Sequence, residues 1–135
     1  MKTYQKHLSS VGEIKTKKNL NKKQVNRTSS IFPVFNSKKI NSRILFMNYW
    51  LVKRGIKEMG LTVSLRNYDG KILIIENKIL KSAKAFEINL IDLLKKVEIQ
   101  NYEFTGSIEI EFFSLTDLVF PYPAVVVNYY NEYGS

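Results

Sequence analysis

From Leu61 onward, apolar side chains recur at every second position in short runs, and this alternation limits what the chain can fold into more than any other feature. Leu61, Val63 and Leu65 alternate with Thr62, Ser64 and Arg66. Phe86, Ile88 and Leu90 stand against Glu87 and Asn89, and Ile108, Ile110 and Phe112 against Glu109 and Glu111. Successive side chains of an extended strand point to opposite faces, so a two-residue period marks a sheet with one face in a core and one in water. Turn signals separate the runs at the roughly 8 to 12 residue spacing of sandwiches and small barrels. The expected class is all-β: an antiparallel, immunoglobulin-like β-sandwich with one short helix.

Local signals fill in the order of elements. Asp69-Gly70 lies between two strand-like runs, and both residues tolerate the positive φ of a primed hairpin turn. The returning strand is expected over Lys71 to Glu76, with Ile72 and Ile74 on one face and Leu73 and Ile75 on the other. Asn89 can cap a helix, Asp92 follows in its first turn, and Lys95 and Lys96 suit its far end, which predicts one or two helical turns at the rim. Ile44 to Val52, rich in aliphatic and aromatic residues, reads as a strand buried on much of both faces, with Lys53 to Gly60 as a connection. Tyr102 to Gly106 reads as a turn, and Leu118 to Tyr130 as a last strand bent near its start by Pro121 and Pro123. Ile31 to Phe35 contains Pro33, which cannot donate to a central ladder, so this patch is expected as a short edge segment.

The net charge of +9 is unevenly placed. Met1 to Arg43 holds eleven Lys and Arg against the single acid Glu13, whereas Ile44 to Ser135 holds ten against eleven. The division expected is a basic, disordered N-terminal arm and linker over residues 1–43 and a sandwich domain over 44–135. High pI points toward nucleic acid or an anionic membrane, and here that argument attaches to the arm alone.

Much chemistry is excluded at once. The chain has no cysteine, hence no disulfide, thiolate nucleophile, cysteine-ligated metal or iron-sulfur cluster. Its only histidine, His7, lies in the arm with no nucleophile or acid at motif spacing, which removes a triad and a histidine-based metal site. No glycine-rich phosphate loop and no nucleophile elbow occurs. No cofactor or metal is expected, and the protein is expected not to be an enzyme. No apolar run reaches the roughly 18 residues of a membrane span. Met1 to Ser30 lacks the apolar core of roughly 7 to 15 residues that a signal peptide needs, so a cytoplasmic location is the expectation.

Three groups of residues remain as candidates. Tyr122, Tyr129, Tyr130 and Tyr133 cluster near two prolines, where exposed rings would stack on sugars or anchor a partner protein; the alternative is that they cap the core. Lys15, Lys17, Lys18, Lys22, Lys23 and Arg27 form an electrostatic footprint that would grip phosphates, although no aromatic residue interleaves with them. Glu109 and Glu111 leave one strand on the same side, with Cα atoms about 7 Å apart by strand rise. Such a pair would serve acid-base work or hold a hard cation; the plainer assignment is a solvated sheet face.

The strand Leu61 to Leu65, the Asp69-Gly70 hairpin, the strand Phe86 to Leu90 with Asp92 and Leu93, the entry Thr105 to Ile108, and Pro123 to Val127 together resemble the small sandwich of the sensory rhodopsin transducer group and related bacterial domains. The resemblance spans about two thirds of the chain and implies a non-enzymatic, oligomeric binding module; the basic arm and the segment Phe120 to Pro123 depart from that group. The function expected is thus a non-catalytic binding or assembly module that engages a protein or a carbohydrate through the tyrosine-proline end, with self-association expected as a further partner and one of the ways the apolar last strand would find a neighbour. The alternative is a nucleic-acid-associated protein that holds phosphates with its arm.

Overall fold

The computed structural model describes residues 23–99, 103–120, 122 and 124–131. In chain order the elements are β1 (Arg27–Asn36), β2 (Asn41–Met47), α1 (Tyr49–Arg54), β3 (Met59–Asn67), β4 (Ile72–Leu80), β5 (Ala85–Asn89), α2 (Leu90–Lys96), β6 (Phe104–Phe113) and β7 (Val125–Tyr130). They form two antiparallel sheets, one with strands in the order β1-β6-β3-β4 and the other β5-β2-β7.

Alternation builds the shared interior. Met59, Leu61, Val63 and Leu65 of β3 are buried, and Ile108, Ile110 and Phe112 lie beside them on β6 in register with Leu65, Val63 and Leu61. From the smaller sheet, Ile44 and Phe46 of β2 and Ile88 of β5 complete the core. The rings of Phe46 and Phe112, one from each sheet, meet edge to face at 5.4 Å between centroids. Trp50 of α1 closes one end, 5.1 Å from the Phe112 ring, with its indole N–H donating to the Phe120 carbonyl at 3.3 Å. α2 starts where Asn89 Oδ1 accepts the Ile91 N–H at 3.0 Å, and it sinks Leu90, Leu93 and Leu94 into the core.

Several boundaries differ from expectation, each for a physical reason. The sheet begins at Arg27 and not at Ile44: all ten residues of β1 pair with β6, and β2 starts at Asn41, inside the stretch expected to be linker. β1 is an edge strand, as Pro33 requires. The Phe35 N–H and C=O both bond to Ser42 Oγ at 2.8 Å, so by the two-residue alternation of an antiparallel ladder Pro33 also faces away from β6 and costs no ladder bond.

The run Ile44 to Val52 is not one strand. It stops at Met47 and turns into α1, which keeps Trp50 inside while Val52 stays exposed. The hairpin at Asp69-Gly70 uses a different turn. Only Gly70 has positive φ, at 84°, its N–H bonds the Asn67 carbonyl at 3.0 Å, and Asn67 Oδ1 accepts from the N–H groups of Asp69 and Lys71. That is a type I turn closed by a left-handed glycine, not a primed turn. β4 slips register between Leu65 and Arg66, so the expected split of Ile72 and Ile74 from Leu73 and Ile75 is lost: Leu73 and Ile74 are both half-buried, and Ile72 and Ile75 both exposed. Phe104 to Gly106, expected as a turn, belongs to β6, while the last strand starts only at Val125.

Candidate functional site

β7 has β2 on one side and no strand on the other among the described residues. Its sequence is Val-Val-Val-Asn-Tyr-Tyr, without charge or proline, and its register with β2 runs unbroken from Val125–Phe46 to Tyr130–Asn41. Every second residue of an edge strand turns its N–H and C=O outward, which makes the edge a template for another chain.

The other three edges are guarded. β1 carries Pro33, and at that end its outward groups are taken by side chains: Ser42 Oγ bonds the Phe35 N–H and C=O, and the Tyr129 hydroxyl donates to the Pro33 carbonyl at 2.7 Å. β4 is broken by its register shift and places Glu76 and Lys78 opposite the buried Val63 and Leu61, so charge points toward the core side of that edge. β5 spans five residues, carries Glu87 and runs straight into α2. Charge, proline, irregularity and shortness are the usual protections of an edge, and β7 has none of the first three.

The expected tyrosine cluster is divided by the strand. Tyr129 faces the interior side: its ring lies 5.6 Å from Phe35 and its hydroxyl ties β7 to β1, so it braces one end of the sandwich. Tyr130 faces the outer side. The Arg43 guanidinium lies 4.7 Å over its ring, and Asn89 Nδ2 donates to its hydroxyl at 2.7 Å. Arg43 also donates to Asn128 Oδ1 at 2.8 Å, and Asn89, Arg43 and Asn128 form one cross-strand row over β5, β2 and β7. Tyr122 is 80% exposed, whereas Tyr133 lies outside the described residues. The open surface is therefore the β7 edge, with Val126 at 60% exposure, flanked by Tyr129 and Tyr130.

Arg43, Asn89, Pro33 and Phe35 belong to this environment and were not legible as such. Only Pro33 gave a signal, as an edge marker.

The carboxylate pair is where alternation put it, on the outer face of the larger sheet, and each member is engaged. Glu109 accepts from Arg66 Nη1 at 3.3 Å, and Glu111 pairs with Arg27. Among the described residues no group of three His, Cys, Asp or Glu is placed to hold a metal. Arg27 thus faces a carboxylate, Lys23 is exposed, and Lys15, Lys17, Lys18, Lys22 and His7 lie outside the described residues. Asp117 serves as a turn residue, its Oδ1 accepting from the N–H groups of Val25 and Val119.

Among the described residues no helix is long and apolar enough to cross a membrane. Compared with protein-family models, curated proteins and solved structures, the chain matches none.

Proposed function

We propose that this protein is a non-catalytic assembly module whose β7 edge pairs with the same edge of a second copy, joining two three-stranded sheets into one. The observation that carries it is the contrast between β7 and the three guarded edges. Strand addition draws affinity from main-chain hydrogen bonds and selectivity from alternate side chains, and valine with tyrosine makes favourable cross-strand pairs. Two-fold self-pairing needs no second sequence, because each copy brings the identical uncharged strand.

The tyrosines favour a protein partner over a sugar. Tyr129 and Tyr130 are held by Pro33, Arg43 and Asn89, which leaves Tyr122 as the freest of the described rings at that end. An immunoglobulin likeness lends no weight, because immunoglobulin sheets group strands as ABED and CFG, whereas here the orders are β1-β6-β3-β4 and β5-β2-β7.

Solution mass tests the proposal. The wild-type chain should form a dimer that dissociates on dilution, and Val126→Lys, a charge placed on an exposed edge position, should be monomeric with an unchanged circular dichroism spectrum. A wild-type chain that is monomeric up to the highest accessible concentration, or a Val126→Lys dimer as tight as wild type, removes it.

A further inference from the structure

We propose that the end of the molecule around Leu115 is a docking surface for an anionic lipid bilayer. This surface lies on the outer side of the larger sheet and is independent of the β7 edge. Leu115 is 100% exposed, yet the loop carrying it is fixed on both sides. The Ser114 N–H donates to the Asn26 carbonyl at 2.9 Å, Asn26 Nδ2 donates back to the Ser114 carbonyl at 2.9 Å, and the Thr116 N–H donates to Ser114 Oγ at 3.0 Å. A leucine held outward on a braced loop is presented, not frayed.

Beside it lies an open groove of about 630 Å³ whose apolar floor is made by Phe113, Ile79 and Ile56. Gly60 creates this floor. The Phe113 ring lies where a Cβ on residue 60 would be, so the ring rests flat on the sheet and leaves an apolar surface beside Ile79.

The charge around this floor is positive. Arg54 and Lys57 line the groove, and no ion pair involves either of them among the described residues. Glu58 also lines the groove and pairs with Lys81 at 3.7 Å, so Arg54 and Lys57 leave the lining with a net charge of +1; Glu111 pairs with Arg27, and Asp117 accepts two backbone N–H groups. Gln24 Nε2 reaches the Leu115 carbonyl at 3.4 Å, so exposed Lys23, next to it in the chain, lies at this same place. A basic tail cannot itself fill a basic groove.

The complement of protruding apolar groups within a ring of cations is an interface with an acyl boundary below and anionic headgroups around it. Each cation brought near such a surface strengthens binding about fivefold, and a leucine buried in the acyl boundary about tenfold or more.

The test is co-sedimentation of the full chain with two kinds of vesicle, phosphatidylcholine alone and phosphatidylcholine with about a quarter phosphatidylglycerol, at low and near-physiological salt. Binding is expected only to the anionic vesicles, weakening as salt rises. Leu115→Ser should weaken it about tenfold, and Arg54→Glu with Lys57→Glu by more than about twentyfold, both with wild-type thermal unfolding. Four results overturn the proposal: no binding to anionic vesicles at low salt, equal binding to both vesicles, affinity unmoved in both variants, or saturable binding of decanoate without vesicle binding. The third would assign any membrane contact to the arm alone, and the fourth would make the groove a small-amphiphile site.

Discussion

Two glycines at opposite ends of the β3–β6 ladder should respond very differently to the same added methyl group. A Cβ at Gly106 would lie 2.1 Å from the Arg66 carbonyl oxygen, a backbone atom of the adjacent strand β3. Ordinary contact begins near 3.4 Å, so β6 and β3 must part by roughly 1.3 Å there. A ladder bond of about 2.9 Å stretched by that much is no longer a hydrogen bond. Overpacking costs about 1–3 kcal/mol and each broken ladder bond about 1 kcal/mol, partly offset by the ~0.5–1 kcal/mol that alanine gains over glycine in backbone entropy. Gly106→Ala should therefore lose about 2–3 kcal/mol, or roughly 10 °C in melting temperature for a domain of this size.

At Gly60 the Cβ would also fall 2.1 Å from its nearest neighbour, but that neighbour is Cε2 of the Phe113 ring. Phe113 is 44% exposed, so its ring has room to swing off the sheet when a Cβ is added, and Gly60→Ala should stay within about 1 kcal/mol of wild type. Urea and thermal unfolding followed by circular dichroism measure both, with an unchanged urea slope confirming that the comparison is like for like. Equal losses in the two variants, or a harmless Gly106→Ala, would refute the register in which β3 and β6 are joined.

Other perturbations follow from single contacts. Asn89→Ala removes the cap of α2 and the bond to the Tyr130 hydroxyl, and should cost about 1–2 kcal/mol by urea titration, most of it recovered in Asn89→Asp. Trp50→Ala empties the closed end of the core and should cost about 3–5 kcal/mol, against which Trp50→Phe should lose markedly less. Glu109→Gln and Glu111→Gln each weaken one arginine contact at the sheet surface and should cost under about 1 kcal/mol in unfolding experiments.

What the sequence made legible is the part of the fold governed by local rules. β3 and β6 were readable because each buries a run of alternate residues, so that Leu61, Val63, Leu65, Ile108, Ile110 and Phe112 leave an unbroken two-residue signature. The α2 start was readable because Asn89 caps through its own side chain, within two residues of its partner.

Of β1 only Ile31 to Phe35 was readable, as a short edge segment, and not the full ten-residue strand. Only Thr28 and Val34 of its ten residues are buried, and its stability comes from β6, far away in sequence. The Tyr49 to Val52 stretch has strand propensity and becomes a helix because Trp50 must reach Phe112 at the end of the core, a tertiary demand that local preference does not encode. The tyrosine site inherited the same gap. With Ile31 to Phe35 expected only as a short edge segment of unassigned partner, nothing could reveal that Tyr129 is tied to Pro33 and Phe35 rather than offered to a ligand.

Hydrogen exchange at the backbone amides of Val125 to Tyr130, followed as a function of protein concentration, addresses the β7 edge directly. If a second copy adds its strand there, the outward-facing amides of β7 should slow as concentration rises, while those on the guarded edge of β4 should not change. Exchange at β7 that is the same at every concentration, in wild type and Val126→Lys alike, would mean that the edge stays open and pairs with no copy of itself.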